Sequence, residues 1–80
     1  MILKPITSEK AVKLVDIDNT LIFETEKTAD KNQIRKEFEN IFNVKVESVR
    51  TLIRRNQKVA YIKLTKENPA IDVATKLGMI

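Results

Sequence analysis

The chain has 80 residues, 42% hydrophobic and 32% charged, which makes one globular domain, residues 1–80, able to bury only about 60% of the surface its unfolded form exposes. It has no Cys, no His, no glycine-rich phosphate loop and no Ser beside a plausible base, so the commonest nucleophiles and general bases are missing and no catalytic residue or cofactor is expected. Lys and Arg number 15 against 11 Asp and Glu, a formal net charge of +4, a balance that suits a nucleic-acid partner without requiring one.

No apolar run approaches the roughly 18 residues of a membrane span, and the N-terminus lacks a signal-peptide apolar core, so a cytoplasmic protein without membrane insertion is expected. The absence of Cys leaves no mark of an oxidising compartment.

In chain order, Ile2-Leu3-Lys4-Pro5-Ile6 reads as a short strand ended by proline, which cannot donate to a ladder. Thr7 or Ser8 then caps a helix to about Val15, with Ala11, Val12, Leu14 and Val15 as its buried stripe. Glu9, in the first turn, complements the positive end of the helix dipole. Asp18-Asn19 signals a turn. Thr20 to Glu26 alternates, Leu21 and Phe23 facing one way and Glu24 and Glu26 the other, as in a half-buried strand.

Asp30 followed by Gln33 resembles a capping box, and Ile34, Phe38, Ile41 and Phe42 recur at helical spacing up to a left-handed cap at Asn43. The phenylalanine stripe reads as core, and Lys31, Arg35 and Lys36 as the solvated face of the same helix. Val44-Lys45-Val46 starts a third strand that is out of step with Val49, Thr51 and Ile53, so a bulge near Glu47-Ser48 is expected.

Val49 to Thr65 then forms a hairpin around a polar break, Arg54 to Lys58, where Asn56 can take positive φ. Positive charge is densest here: Arg54, Arg55 and Lys58 crowd the tip, Arg50 and Lys63 continue down the strands, and no acid falls between Arg50 and Lys63. One hairpin face is apolar, through Ala60, Ile62 and Leu64. The other mixes cations with Leu52, Val59 and Tyr61, a pattern that suits RNA, since cations neutralise phosphate while a ring stacks on a base or ribose. The same pattern also describes an amphipathic sheet face covered by another helix. Asn68-Pro69 starts a last helix, with Ile71, Val73, Ala74 and Leu77 as its stripe and Gly78 as its stop.

The order β-α-β-α-β-β-α predicts a single α+β domain built on a small, largely antiparallel four-stranded sheet. Asp16 and Asp18 flank a turn without the glycine-bearing calcium-loop pattern, so no metal site is expected. A small hydrolase using Arg50 and Asn56 lacks a phosphate-cradling loop.

Several stretches resemble one family. Lys4-Pro5-Ile6-Thr7-Ser8-Glu9-Lys10-Ala11 is similar to the N-terminal signature of the universal large-subunit ribosomal protein twenty-three, found at the mouth of the polypeptide exit tunnel. Val49-Arg50-Thr51-Leu52 and Lys58 to Thr65 resemble that family's third and fourth strands, and Asp72 to Ile80 resembles the ending of its archaeal and eukaryotic branch. The likeness covers essentially the whole chain.

The resemblance implies an α+β domain that binds large-subunit ribosomal RNA, touches neighbouring ribosomal proteins, and helps form the platform where signal recognition particle, chaperones and translocon dock. It places Lys4, Ser8, Lys10, Arg50, Thr51, Lys58, Tyr61 and Lys63 at or near RNA, and it matches Glu9 to an acid associated with factor docking. Val59 stands where the family usually has a second basic residue, and Arg54 and Arg55 can supply that charge. Bacterial members extend the hairpin into the tunnel; this one is short, so no tunnel-lining role is expected. The expected function is therefore structural and non-catalytic, with no small-molecule substrate. The alternative is a protein-interaction module that recruits factors through its acidic first-helix region without touching RNA.

Overall fold

A computed structural model describes residues 3–78. Its elements are β1 (Lys4–Pro5), α1 (Glu9–Asp18), β2 (Thr20–Thr25), α2 (Lys31–Phe42), β3 (Val46–Arg54), β4 (Gln57–Leu64) and α3 (Ala70–Lys76), the expected order. The four strands form one sheet in the order β1-β2-β4-β3, with every pairing antiparallel. The chain therefore leaves β2 through α2, lays β3 at the far edge, and returns β4 into the gap.

The core lies on one side of this sheet. Leu21 and Phe23 of β2, Ala60, Ile62 and Leu64 of β4, and Val46 and Val49 of β3 meet Val15, Ile34, Phe38, Ala70, Val73 and Ala74 from the helices. Phe38 sits edge-on to Phe23 with centroids 5.4 Å apart and also touches Phe42 at 4.7 Å, so the aromatic stripe of α2 is packing, as its spacing requires. Asp30 and Gln33 form the expected capping box: Gln33 N–H donates to Asp30 Oδ1 (2.8 Å) and Asp30 N–H to Gln33 Oε1 (3.1 Å). Asn43 closes the helix in the left-handed region. The bulge falls between Val46 and Ser48, where Glu39 of α2 accepts the Val46 N–H at 3.0 Å.

Several local expectations change. The first strand is only Lys4–Pro5, although Ile6 N–H still donates to the Ile22 carbonyl at 2.9 Å; Ile2 lies outside the described residues, as do Met79 and Ile80. α1 runs three residues past Val15, and the Asp18-Asn19 turn contracts to Asn19 alone as its left-handed cap (φ 52°). β3 begins at Val46, not at Val44. β2 is not half-buried: it lies between two strands, and Ile22, on the face assigned to acids, is only 6% exposed. Ile41 and Ile71 leave their stripes for solvent, because helical spacing fixes a face but not how far the neighbouring element reaches across it.

The largest correction concerns α3. Asn68 does not cap it; its side-chain amide donates instead to Thr65 Oγ1 at 2.8 Å, and Pro69 occupies the cap position without a side-chain hydrogen bond. The acceptor for the first helical N–H, that of Ala70, is Asn19 Oδ1 at 2.6 Å, from 51 residues away. The Asn19 amide also donates toward the carbonyls of Leu64 (3.1 Å), Thr65 (3.1 Å) and Asn68 (3.3 Å), while its backbone carbonyl accepts from Leu64 N–H (3.1 Å). One residue thus closes α1, opens β2, ties off β4 and caps α3. Gly78 follows α3 at φ 74°, its N–H on the Thr75 carbonyl, as the glycine stop requires.

Asn19→Ala should lower the unfolding free energy in urea by about 2–3 kcal/mol with an unchanged denaturant slope, since partly buried backbone groups lose partners and alanine resists positive φ. Asn19→Gly, which accepts the backbone conformation but lacks the amide, should be about 1 kcal/mol less damaging.

Candidate nucleic-acid interface

Strand pairing sorts the hairpin side chains. Across the sheet, Ile22, Tyr61 and Arg50 lie in one row, Glu24, Val59 and Leu52 in the next, and Thr20, Lys63 and Ser48 in a third, all on the side away from the helical core. Arg54 and Gln57 pair at the tip on the same side. This face is open, and the pairing of Leu52 with Val59 and of Arg50 with Tyr61 alternates apolar and cationic groups along it. The Arg50 guanidinium sits 5.6 Å from the Tyr61 ring centre, a cation–π contact that restrains both side chains before anything binds.

A shallow hollow of about 730 Å³ occupies this face. Ile6, Ile22, Leu52, Val59 and Tyr61 form its apolar surface, and Ser8, Lys10, Arg54, Arg55 and Gln57 its polar rim; among the described residues no carboxylate lines it. Ser8 is fixed there by its own cap, Oγ accepting the Ala11 N–H at 3.2 Å, and α1 carries Lys10 to the same edge. A second hollow, on the far side of Tyr61, is lined by Asp18, Thr20, Ser48, Arg50, Tyr61 and Lys63.

The two ends of the face differ electrically. At the second hollow, Lys63 Nζ lies 3.4 Å from Asp18 and 4.0 Å from Glu47, so its charge is shared with two carboxylates. Asp18 is itself placed by Thr20, whose hydroxyl donates to Asp18 Oδ2 at 3.1 Å. Asp18 thus serves an ion pair, and among the described residues no cluster of three potential metal ligands occurs. At the hairpin end, no ion pair involving Arg54 or Arg55 is formed with a described acid, and both are exposed.

The turn itself is tighter than the sequence suggests. Only Arg55 and Asn56 lie between β3 and β4, and both have positive φ, 52° and 65°. That is the primed turn whose twist matches paired strands; asparagine tolerates it, whereas an arginine there carries a backbone cost of roughly 1 kcal/mol. The turn throws Arg55 to the extreme tip.

The residues singled out from sequence fall into two groups. Ser8, Lys10, Arg50, Arg54, Arg55, Tyr61 and Lys63 converge on the open face or its rim, and Lys4, paired across the sheet with Glu24, is on the same side. Thr51 and Lys58 are not with them. Both point to the helical side, where Lys58 Nζ donates to the Ala29 carbonyl. Glu9 is exposed in the first turn of α1, outside both hollows. Sequence reasoning missed Ile6, Ile22 and Gln57. The signal for Ile22 was available, an apolar residue breaking the acidic face of an alternating strand.

Among the described residues no helix is long and apolar enough to cross a membrane. Residues 1–71 match the family model described as Ribosomal protein L23. The chain is 46% identical over 80 residues to the large ribosomal subunit protein uL23 of Methanothermobacter thermautotrophicus, covering 99% of this chain and 93% of that one. Identity to the protein of the same name from Pyrobaculum aerophilum is 44% over 81 residues, covering both chains completely. The Kluyveromyces lactis protein is 45% identical over 78 residues, which is 96% of this chain but 55% of the yeast one.

Arg55→Asn should raise the unfolding free energy by about 0.5 kcal/mol in thermal or urea denaturation, because the turn no longer holds a long side chain at positive φ. A destabilised variant would show that Arg55 has a structural partner.

Proposed function

The chain belongs to the ribosomal protein L23 family, and from that premise we propose that it is a non-catalytic component of the large ribosomal subunit that binds large-subunit ribosomal RNA near the polypeptide exit tunnel. The observation that carries the RNA reading is the open sheet face, where Arg50 stacks over Tyr61 and Lys10, Arg54 and Arg55 line a hollow with no acid among its described residues. Its chemistry is suited to phosphate neutralisation with shape readout, because the face has one aromatic residue and not the cluster used by sheets that read single strands. Lys4, Ser8 and Lys63 extend the surface. Thr51 and Lys58, on the other side, join it only where RNA wraps the hairpin edge.

Within this reading the short hairpin anchors the protein. Glu9, exposed on α1 and outside the hollow, belongs to the platform for signal recognition particle and chaperones, with neighbouring ribosomal proteins completing it. Among the described residues lining the hollow no nucleophile stands beside a base, in keeping with a structural role.

Reversing both charges, Arg54→Glu with Arg55→Glu, should weaken binding to a large-subunit RNA fragment at least tenfold at low salt. It should also flatten the plot of log affinity against log salt by roughly 2, the equivalent of two phosphate contacts. An unchanged affinity would remove the hairpin from the interface. Glu9→Ala should leave subunit assembly intact while reducing recruitment of signal recognition particle to purified ribosomes; normal recruitment would return Glu9 to its role at the helix start.

A further inference from the structure

The hollow between α1 and the hairpin has a property that phosphate binding does not explain. Its floor is apolar: Leu52, 37% exposed, pairs directly with Val59, and Ile22, 6% exposed, stands in the neighbouring row beside Tyr61. Cations reach it from two elements, Lys10 from α1 and Arg54 with Arg55 from the hairpin tip. The floor spans three adjacent strands, and Tyr61 lines it beside Arg50. The volume, about 730 Å³, lies within the range of roughly 300–1,000 Å³ in which small ligands are held.

The apolar floor of the hollow, unlike the cations around it, suits an A-form duplex poorly. Such a duplex presents phosphates and the 2′-hydroxyls of its shallow groove, and setting those polar groups on Leu52 and Val59 strips them of water without a hydrogen-bonding partner. An unpaired nucleotide fits better, because a base has a broad apolar face for the floor while the phosphates on either side are free to reach cations.

We propose that this hollow receives one unpaired RNA base, laid on Ile22, Leu52 and Val59 beside Tyr61, with Lys10 at one flanking phosphate and Arg54 and Arg55 at the other. The inference rests on the RNA-binding reading above and adds to it a single site at which a base is splayed out of its helix. The recognition is by the base's face, so it discriminates unpaired from paired RNA more than one base from another.

The test compares two probes on the intact chain at low salt, a short single-stranded oligoadenylate carrying 2-aminopurine and a blunt RNA duplex, followed by fluorescence and by methyl NMR. The oligoadenylate should shift the Ile22, Leu52 and Val59 methyl signals and change the 2-aminopurine emission, whereas the duplex should leave those methyls still. Leu52→Thr with Val59→Thr, both strand-compatible and the second nearly isosteric, should reduce oligoadenylate affinity about tenfold and duplex affinity little. If the duplex binds with a steep salt dependence, and the oligoadenylate binds no better and moves no floor methyl, the base site is refuted while RNA binding stands. If neither RNA binds, both readings fall. If an acidic peptide shifts the same methyls as tightly as oligoadenylate, the hollow is a protein site and the proposal is overturned.

Discussion

The side chain of Asn19 is the interaction on which the rest of this structure depends. Its carbonyl oxygen caps the first N–H of α3, its amide is shared among carbonyls at the end of β4 and the loop beyond it, and its backbone is the left-handed stop of α1. Such groups are partly withdrawn from water, and each would carry a penalty of its own if left unpaired. Gathering them on one residue means that the end of the first helix, the start of a central strand and the start of the last helix are placed together. A chain this small has few other means of fixing three elements at one corner.

With that corner closed, all three helices contribute to the core on one side of the sheet and the other side is left to the hairpin and the start of α1. The asymmetry is what makes the open face possible. In β4, Ala60, Ile62 and Leu64 are fully buried while Val59, Tyr61 and Lys63, one residue out of phase, stay partly accessible. The period of two in a strand thus separates the residues that hold the fold from those that form the surface, and substitutions on the open face need not cost core packing.

Electrostatics then divides the open face. Asp18 and Glu47 draw Lys63 into an ion pair at the end nearest the Asn19 corner, while the cations at the hairpin tip stay unpaired by described acids and project from a turn in which arginine is a costly choice of residue. Partly exposed ion pairs of this kind add little stability. Their effect is local: the Lys63 charge is shared with carboxylates, while Arg54 and Arg55 at the tip share theirs with no described acid and are the cations a polyanion would first meet. Lys58, anchored on the Ala29 carbonyl, spends its charge on the loop before α2.

Much of this was legible in the chain itself, because the signals are local. The capping box at Asp30 and Gln33, the cap at Asn43, the bulge between Val46 and Ser48, the hairpin and the α+β order all follow from short-range backbone preferences and side-chain periodicity, and so does the mixed face carrying Arg50, Leu52, Arg54, Val59 and Tyr61. What only the tertiary structure decided is which groups meet across sequence distance. Asn19 reads locally as a turn residue, and nothing near it announces a helix cap 51 residues away. Asn68-Pro69 is as strong a local helix start as the chain contains, yet the long-range acceptor displaced it. Ile22 keeps the face its alternation gives it but is buried there, and Lys58 finds its partner in the Ala29 carbonyl, for the same reason: periodicity assigns a side chain to a side of its own element, but burial, charge pairing and the hollow beside Tyr61 are set by what the rest of the fold brings against that side.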